Sequence, residues 1–174
     1  MSYTRITVLL VAVFSLPAAV MADQFVGRVV AVADGDTLTV LDDRYTQHRV
    51  RLSGIDAPEK KQAFGAASKK HLSDQVFGRG VLVYWSESDR YGRIIGKVIR
   101  AEDGCDGSEC RYNIDTNLEQ VKAGLAWHYK AYAKQQARDD RALYSEAETE
   151  ARNRGVGLWA DAHPIPPWDF RRRK

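Results

Sequence analysis

Cysteine and histidine are scarce in this chain. Its 174 residues include two cysteines and four histidines, whereas a structural zinc site needs four such ligands at characteristic spacings. Cys105 and Cys110 are separated by four residues, and no cysteine or histidine pair lies near them to complete a tetrahedral site. In an oxidising compartment the two thiols would instead close a small loop. We therefore predict a disulfide between Cys105 and Cys110.

Long hydrophobic runs are also rare, and the clearest one lies at the start of the chain. Arg5 precedes an apolar stretch over residues 6–20, which ends in Val20-Met21-Ala22. The stretch is shorter than the roughly 20 residues that a membrane-spanning helix needs, which disfavours the alternative of a membrane anchor. A positive start, an apolar centre and small residues at the end are typical of a cleaved secretory signal. We expect residues 1–22 to be a signal peptide and the mature protein to be exported, to the periplasm or the medium, without membrane attachment.

A strong excess of one charge is missing as well. The 26 lysines and arginines nearly balance the 23 aspartates and glutamates, for a formal net charge of +3. So small a bias is compatible with a polyanionic partner but does not identify one. The length fits one globular domain, which we expect over residues 23–174. Its basic end, Arg171-Arg172-Arg173-Lys174, is typical of a solvated tail that could add phosphate contacts.

Alternating apolar residues and turn signals predict five strands, and helical spacing predicts about three helices. The third helix is expected to bury Leu143, Ala147 and Ala151, and the tail from His163 is expected to be extended. This order suits a five-stranded OB-fold barrel, a mostly β fold of the α+β class, although other α+β arrangements share it. The predicted strands are 25–33, 36–41, 47–53, 80–85 and 93–99, and the predicted helices are 62–77, 115–123 with Asp115 as cap, and 136–153.

The first polar motif is Asp34-Gly35-Asp36-Thr37, between two predicted strands. Two carboxylates around a glycine offer the hard oxygen ligands that Ca²⁺ and Mg²⁺ prefer. Asp-Gly is also the commonest hairpin signal, so the motif taken alone favours a plain turn.

Two further motifs combine acidic and basic residues. Arg51 to Glu59 reads Arg-Leu-Ser-Gly-Ile-Asp-Ala-Pro-Glu and leaves a predicted strand. The other motif, Asp89-Arg90-Tyr91-Gly92-Arg93, joins a predicted hairpin turn over residues 88–92 to the first residue of the next strand. Hydrolysis of a phosphodiester needs a cation at the phosphate, a base for water and fixed positive charge for the transition state. Arginine binds phosphate through two parallel hydrogen bonds, so Arg51 and Arg93 are candidates to hold one phosphoryl group. Either arginine alone would more simply be a surface charge or an ion-pair partner.

The three motifs together, in this order and spacing, resemble the thermonuclease family, whose best-known member is staphylococcal nuclease. Gly124-Leu125-Ala126 and Gly157-Leu158-Trp159 match further landmarks of that family, and the resemblance covers residues 25–159. It implies an OB-fold enzyme that hydrolyses DNA and RNA with little sequence preference and leaves 3′-phosphate ends. It also implies a monomer without a stable protein partner.

The resemblance also implies a role for each motif residue. One Ca²⁺ ion would be bound by Asp36, Asp56 and the backbone carbonyl of Ala57, with Asp34 holding water around the ion. Glu59 would orient or deprotonate the attacking water, and Arg51 and Arg93 would hold the phosphate and stabilise the transition state. The residues expected beside the bound nucleotide are Tyr91, Arg90 and Tyr132, with Tyr129 as the alternative to Tyr132.

Some positions depart from staphylococcal nuclease. Ala57 replaces a threonine, which leaves the required carbonyl in place. The segment after Glu59 is shorter, and the cysteine-containing loop over residues 101–112 is an insertion. A catalytically inactive OB-fold module that binds nucleic acid or protein is the alternative function. It is disfavoured because such modules typically lack some of the carboxylates or arginines that are all present here.

Overall fold

The computed structural model describes residues 23–105 and 110–173, so the predicted signal peptide lies outside the described residues. The strands are β1 Asp23–Val32, β2 Thr37–Asp42, β3 Gln47–Leu52, β4 Ile55–Asp56, β5 Gly80–Ser88, β6 Ile94–Ala101, β7 Tyr112–Asp115 and β8 Trp127–His128. The helices are α1 Gly65–Val76, α2 Thr116–Lys122, α3 Arg138–Asn153 and α4 Pro167–Arg172, with 3₁₀ turns at Lys130–Gln135 and Gly157–Ala160.

Strand β3 closes the sheet into a barrel. The strands run in the order β3-β2-β1-β5-β6-β7, and β3 pairs a second time, in parallel, with β6. In that pairing Val50, Arg51 and Leu52 face Ile94, Ile95 and Gly96. Five strands therefore form a closed barrel with no open edge between β3 and β6. The predicted OB-type barrel is confirmed.

The closure point is tight and is held by a buried amide. A side chain at Gly96 would begin 2.9 Å from a methyl group of Val83, so only glycine fits there without displacement. Asn117, at the start of α2, donates to the carbonyl oxygens of Ser53 at 3.0 Å and Gly96 at 3.1 Å. It also accepts a bond from the Val98 amide at 3.1 Å. One side chain thus links β3, β6 and α2, and its buried polar atoms are all paired.

The barrel interior follows the alternation in the sequence. Side chains that point inward along the strands are fully buried, and α1 covers one end of the barrel with Leu72 and Val76. Complete burial of such a side chain contributes about 1.5–3 kcal/mol. The strand residues with no exposed surface are Leu38, Val40, Val50, Val81, Val83 and Val98.

The helices begin and end close to the predicted positions, with one error on α3. Asp115 caps α2 as expected, because its Oδ1 accepts a bond from the Leu118 amide at 3.0 Å. Leu143 was predicted to be buried but is 49% exposed. The adjacent Tyr144 is buried instead, and its hydroxyl donates to both oxygens of Asp115 at 3.0 and 2.9 Å. The helix is therefore rotated so that an aromatic ring, rather than leucine, fills the space beside α2.

The prediction of an extended tail is wrong for its last part. Pro167 begins the short helix α4, where a proline is favoured because the first helical amide has no partner to lose. The ring of Trp168 stacks on Tyr129 at 5.3 Å with an interplanar angle of 23°. The ring also meets Trp127 edge-on at 5.5 Å. Tertiary contacts of this kind override local preference and fold the tail back onto the barrel.

The insertion between β6 and β7 carries both cysteines. Cys105 and Cys110 are joined by a disulfide, with their Cα atoms 5.7 Å apart. Arg79 pairs with Asp103, and Arg100 pairs with the same carboxylate at 3.3 Å, so the loop is attached to the barrel beside its disulfide. Among residues 23–105 and 110–173, no helix combines the length and apolar character needed to span a bilayer.

We predict that Tyr144→Phe lowers the free energy of unfolding by about 1–3 kcal/mol, because it removes a buried hydrogen bond to the charged Asp115 carboxylate. Urea denaturation followed by circular dichroism measures the change. The matched control is Leu143→Ala on the exposed face of α3, for which the change should be about 0.5 kcal/mol or less. Equal effects of the two substitutions would contradict the assigned role of the hydroxyl.

Candidate active site

The three sequence motifs meet at one cleft of about 860 Å³ on the side of the barrel. The acidic turn before β2, the segment after β3 and the β5–β6 hairpin each contribute charged side chains to it. Neither cysteine is among the described residues that line this cleft. The charged and aromatic lining residues include Asp34, Asp36, Arg51, Glu59, Asp89, Arg90, Tyr91, Arg93, Tyr129, Tyr132 and Arg171.

The acidic turn is fixed from behind by α1 and α2. The Gly35 carbonyl accepts a bond from Gln120 at 2.6 Å, and a side chain at Gly35 would collide with Ser68. Asp34 and Asp36 are thereby held side by side, and the Asp36 amide donates to Asp34 at 3.3 Å. Burial, followed by the neighbouring Asp36 charge, raises the pKa of Asp34 above its usual value. A turn that crowds two carboxylates in this way favours a bound cation.

Arg51 bridges two buried carboxylates. Its Nη1 lies 2.7 Å from Asp36 Oδ1, and its Nη2 lies 2.8 Å from Asp56 Oδ1. The exposed fractions of the two carboxylate side chains are 6% and 0%. Burial alone would lower the pKa of Arg51, but the charges of Asp36 and Asp56 raise it above its usual value. The guanidinium is therefore charged and fixed in position at the point where β3 meets both β2 and β6.

Asp56 and Ala57 are held beside Asp36 by a separate, two-stranded ribbon. Asp56 lies in β4, which pairs with β8 through Trp127, and this two-stranded ribbon holds Asp56 beneath the cleft. The next amide, that of Ala57, donates to Asp36 Oδ2 at 2.9 Å. Residues 21 positions apart in the chain are thus brought together at Asp36. The sequence did not reveal this ribbon because each of its strands is two residues long.

Arg93 is oriented by the hairpin from which it projects. Asp89 Oδ2 accepts a bond from Arg93 Nε at 2.7 Å, while Oδ1 accepts bonds from the Tyr91 and Arg93 amides at 2.9 Å. Burial would raise the pKa of Asp89, but these bonds lower it below its usual value. The other end of the guanidinium lies 3.5 Å from the Thr37 hydroxyl, which itself donates to Asp36 at 3.0 Å. Arg93 therefore points toward the acidic turn from the opposite wall.

The predicted substrate-binding residues form the outer rim of the cleft. Tyr91 is 64% exposed, and the Arg90 guanidinium lies over its ring at 4.9 Å. Tyr132 is 51% exposed, whereas Tyr129 packs between Tyr132 and Trp168. The more exposed ring, that of Tyr132, is the one with a free face for a base to stack on.

Comparison with known proteins agrees with this arrangement. The family described as staphylococcal nuclease homologue matches residues 49–161. The chain is 41% identical to a protein of Escherichia coli named as an uncharacterized endonuclease, over 93% of this chain and 94% of the relative. It is 39% identical to a Haemophilus influenzae protein with the same description, over 95% and 83%. A Shigella flexneri protein named micrococcal nuclease is 43% identical over 93% and 87%. The chain belongs to the staphylococcal nuclease family.

The family's site contains a donor set suited to a hard divalent cation. Asp36 and Asp56 share one guanidinium, which brings their carboxylates to adjacent positions, and Asp34 stands beside Asp36. Within the described part of the chain, no three His, Cys, Asp or Glu side chains converge closely enough to hold a metal by themselves. Carboxylate oxygens at adjacent positions are ligands that hard divalent cations prefer.

Sequence reasoning missed one residue of this site, Arg171. It was assigned to a solvated tail, but its guanidinium binds Asp56 at 2.7 Å and Glu59 at 2.9 Å. The sequence signal was the basic run that ends the chain, next to Trp168 and two prolines. The basic run identifies positive charge in the tail but does not indicate which carboxylates that charge binds.

We expect Arg51→Gln to lower the free energy of unfolding at neutral pH by about 3–5 kcal/mol, because it leaves buried carboxylates without their shared counter-ion. Chemical denaturation measures this loss. The control, Arg49→Gln, changes an exposed arginine on the same strand and should have little effect. A loss below about 1 kcal/mol for Arg51→Gln would contradict the assigned ion pairs.

Proposed function

We propose that this protein is an exported, Ca²⁺-dependent nuclease that hydrolyses phosphodiester bonds of DNA and RNA with low sequence specificity and leaves 3′-phosphate ends. Membership of the staphylococcal nuclease family, with relatives named as endonucleases, supports a nuclease function. The observation that carries the finer proposal is the convergence of Arg51, Arg93 and Glu59 with the Asp34, Asp36 and Asp56 carboxylates at one cleft.

In the proposed reaction, the two arginines bind the phosphate from opposite walls. Arg51 comes from the floor of the cleft and Arg93 from the hairpin, and both are held in place by carboxylates before any substrate arrives. Fixed guanidinium groups stabilise the charge that develops on the non-bridging oxygens, without needing to reorganise during the reaction. Tyr91, Arg90 and Tyr132 on the rim would contact the neighbouring nucleotide.

Glu59 is the proposed general base. Its amide donates to Gln62 at 3.1 Å, which fixes the backbone after Pro58, and its side chain lines the cleft. Water attacks phosphorus in line and gives its proton to Glu59, the bond to the 5′ oxygen breaks, and that oxygen takes up a proton. The products are a 3′-phosphate and a 5′-hydroxyl. Asp36, Asp56 and the Ala57 carbonyl would hold the Ca²⁺ ion, and Asp34 would bind water molecules attached to the ion. The ion would act as a Lewis acid that stabilises charge on the phosphate.

The proposed location is the periplasm or the medium, with the mature chain acting as a monomer. Two features support export: the apolar run over residues 6–20 and the disulfide between Cys105 and Cys110. Disulfides form and persist in oxidising compartments rather than in the cytosol.

We expect Glu59→Gln and Arg93→Ala each to lower kcat by at least 10²–10³-fold, since each removes a contact made in the transition state. Hydrolysis of fluorescent DNA and RNA oligonucleotides in Ca²⁺ measures the loss. The matched controls are Glu119→Gln and Arg44→Ala, which change residues on the protein surface away from the cleft. Near-normal turnover by Arg93→Ala would contradict its role as a phosphate ligand.

Removal of the cation should stop hydrolysis of plasmid DNA and of RNA, and Ca²⁺ should restore it. The measurement is electrophoresis of both substrates after incubation with chelator, with added Ca²⁺ and with added Mg²⁺. Binding of nucleic acid without shortening in any of these conditions would favour the inactive binding module. Activity in excess chelator would contradict the proposed cation requirement.

A further inference from the structure

Arg171 occupies the same carboxylates that the proposed reaction needs free. Its Nη2 lies 2.7 Å from Asp56 Oδ2, and its Nη1 lies 3.2 Å from Asp56 Oδ1 and 2.9 Å from Glu59 Oε1. The partners are separated by more than 100 residues along the chain. The Arg171 guanidinium therefore binds both Asp56, a candidate cation ligand, and Glu59, the candidate general base.

With Arg171 in place, both oxygens of Asp56 already accept hydrogen bonds from guanidinium groups. Arg51 holds Oδ1 and Arg171 holds both oxygens, and the Asp56 side chain is 0% exposed. A divalent cation on Asp56 would also stand within a few ångströms of the Arg171 charge, whose repulsion adds to that already exerted by Arg51. Docking of Arg171 and binding of a cation to Asp56 therefore compete for the same carboxylate.

The segment that carries Arg171 is held by contacts of its own. Trp168 stacks on Tyr129 and meets Trp127, and Pro167 is buried. Gln62 donates to the Ile165 carbonyl at 2.6 Å while it accepts the bond from the Glu59 amide. The same residue therefore joins the tail to the loop that presents Glu59. Helix α4 is positioned as a built part of the cleft wall, and Arg171 is its residue that faces the carboxylates.

We propose that α4 is an autoinhibitory latch: Arg171 closes the site by binding Asp56 and Glu59, and it is displaced when a divalent cation takes Asp56. The inference rests on the proposed function, because it assigns the cation to Asp56 and the proton transfer to Glu59. Release of Arg171 opens Asp56 to the cation and frees Glu59 for water in a single movement.

The test is the Ca²⁺ affinity of the mature chain, residues 23–174, measured by isothermal titration calorimetry. Arg171→Gln should bind Ca²⁺ more tightly than the wild type, by roughly 5- to 150-fold, the range of typical coupling between two sites. Trp168→Ala, which removes the stacking that docks α4 but no charge, should shift the affinity in the same direction. The control is Arg172→Gln, on the same helix but paired with Asp169, which should leave the affinity within about twofold of the wild type.

Hydrogen exchange provides a second readout that does not depend on activity. Because coupling is reciprocal, saturating Ca²⁺ should speed amide exchange in residues 168–172 of the wild type. In hydrolysis assays, Arg171→Gln should raise kcat/KM at low Ca²⁺ and match the wild type at saturating Ca²⁺.

Three outcomes would overturn the latch. Unchanged or weaker Ca²⁺ binding by Arg171→Gln, together with Ca²⁺-dependent hydrolysis, overturns the latch and leaves the proposed function intact. Reduced kcat of Arg171→Gln at saturating Ca²⁺ overturns it in favour of Arg171 as a third phosphate ligand. Absence of Ca²⁺ binding in every variant, with hydrolysis continuing in chelator, overturns both the latch and the proposed cation requirement.

Discussion

The bridge from Arg51 to Asp36 and Asp56 is the interaction on which both the barrel and the site depend. Arg51 stands in β3 where that strand pairs with β2 on one side and with β6 on the other. Its two carboxylate partners are buried, so the three groups cannot separate without leaving charge uncompensated in the interior. The residue that marks closure of the barrel therefore also sets the distance between the two carboxylates. A change in the pairing of β3 with β2 or β6 would therefore change the positions of Asp36 and Asp56 in the cleft.

The other charged groups of the site are also fixed in position by hydrogen bonds before any substrate binds. Asp89 orients Arg93, Gln120 holds the acidic turn by the Gly35 carbonyl, and Asn117 ties the end of β3 to β6. Each of these residues satisfies buried or half-buried polar groups and fixes a neighbour that lines the cleft. Fixed dipoles and charges stabilise a transition state because they need not reorient as the reaction proceeds. The hydrogen bonds that stabilise the fold around the cleft are therefore also the ones that position its charged groups.

The sequence predicted the parts of this arrangement that depend on local pattern. Alternating apolar residues located the five barrel strands, Asp115 marked the start of α2, and the three charged motifs identified the walls of the cleft. It could not predict features decided by contacts between distant segments. The ribbon of β4 and β8 is too short to produce a periodic pattern in the sequence. Which face of α3 is buried is decided by the contact between Tyr144 and Asp115, which helical spacing does not reveal. Arg171 was misassigned for the same reason, since nothing within the basic run specifies Asp56 as its partner.

Neutralisation of the acidic cluster adds to the aromatic contacts of Trp168 that fold the tail back onto the barrel. Asp36 and Asp56 share the single positive charge of Arg51, which leaves one negative charge in excess beside Glu59 and Asp34. Arg171 supplies the missing charge, and its pKa is raised above the usual value chiefly by its hydrogen bond to Asp56. A divalent cation at the same carboxylates would also supply positive charge there. Arg171 and a divalent cation would therefore act on the same carboxylates, so the contact that stabilises the closed site is one with which a bound cation would compete.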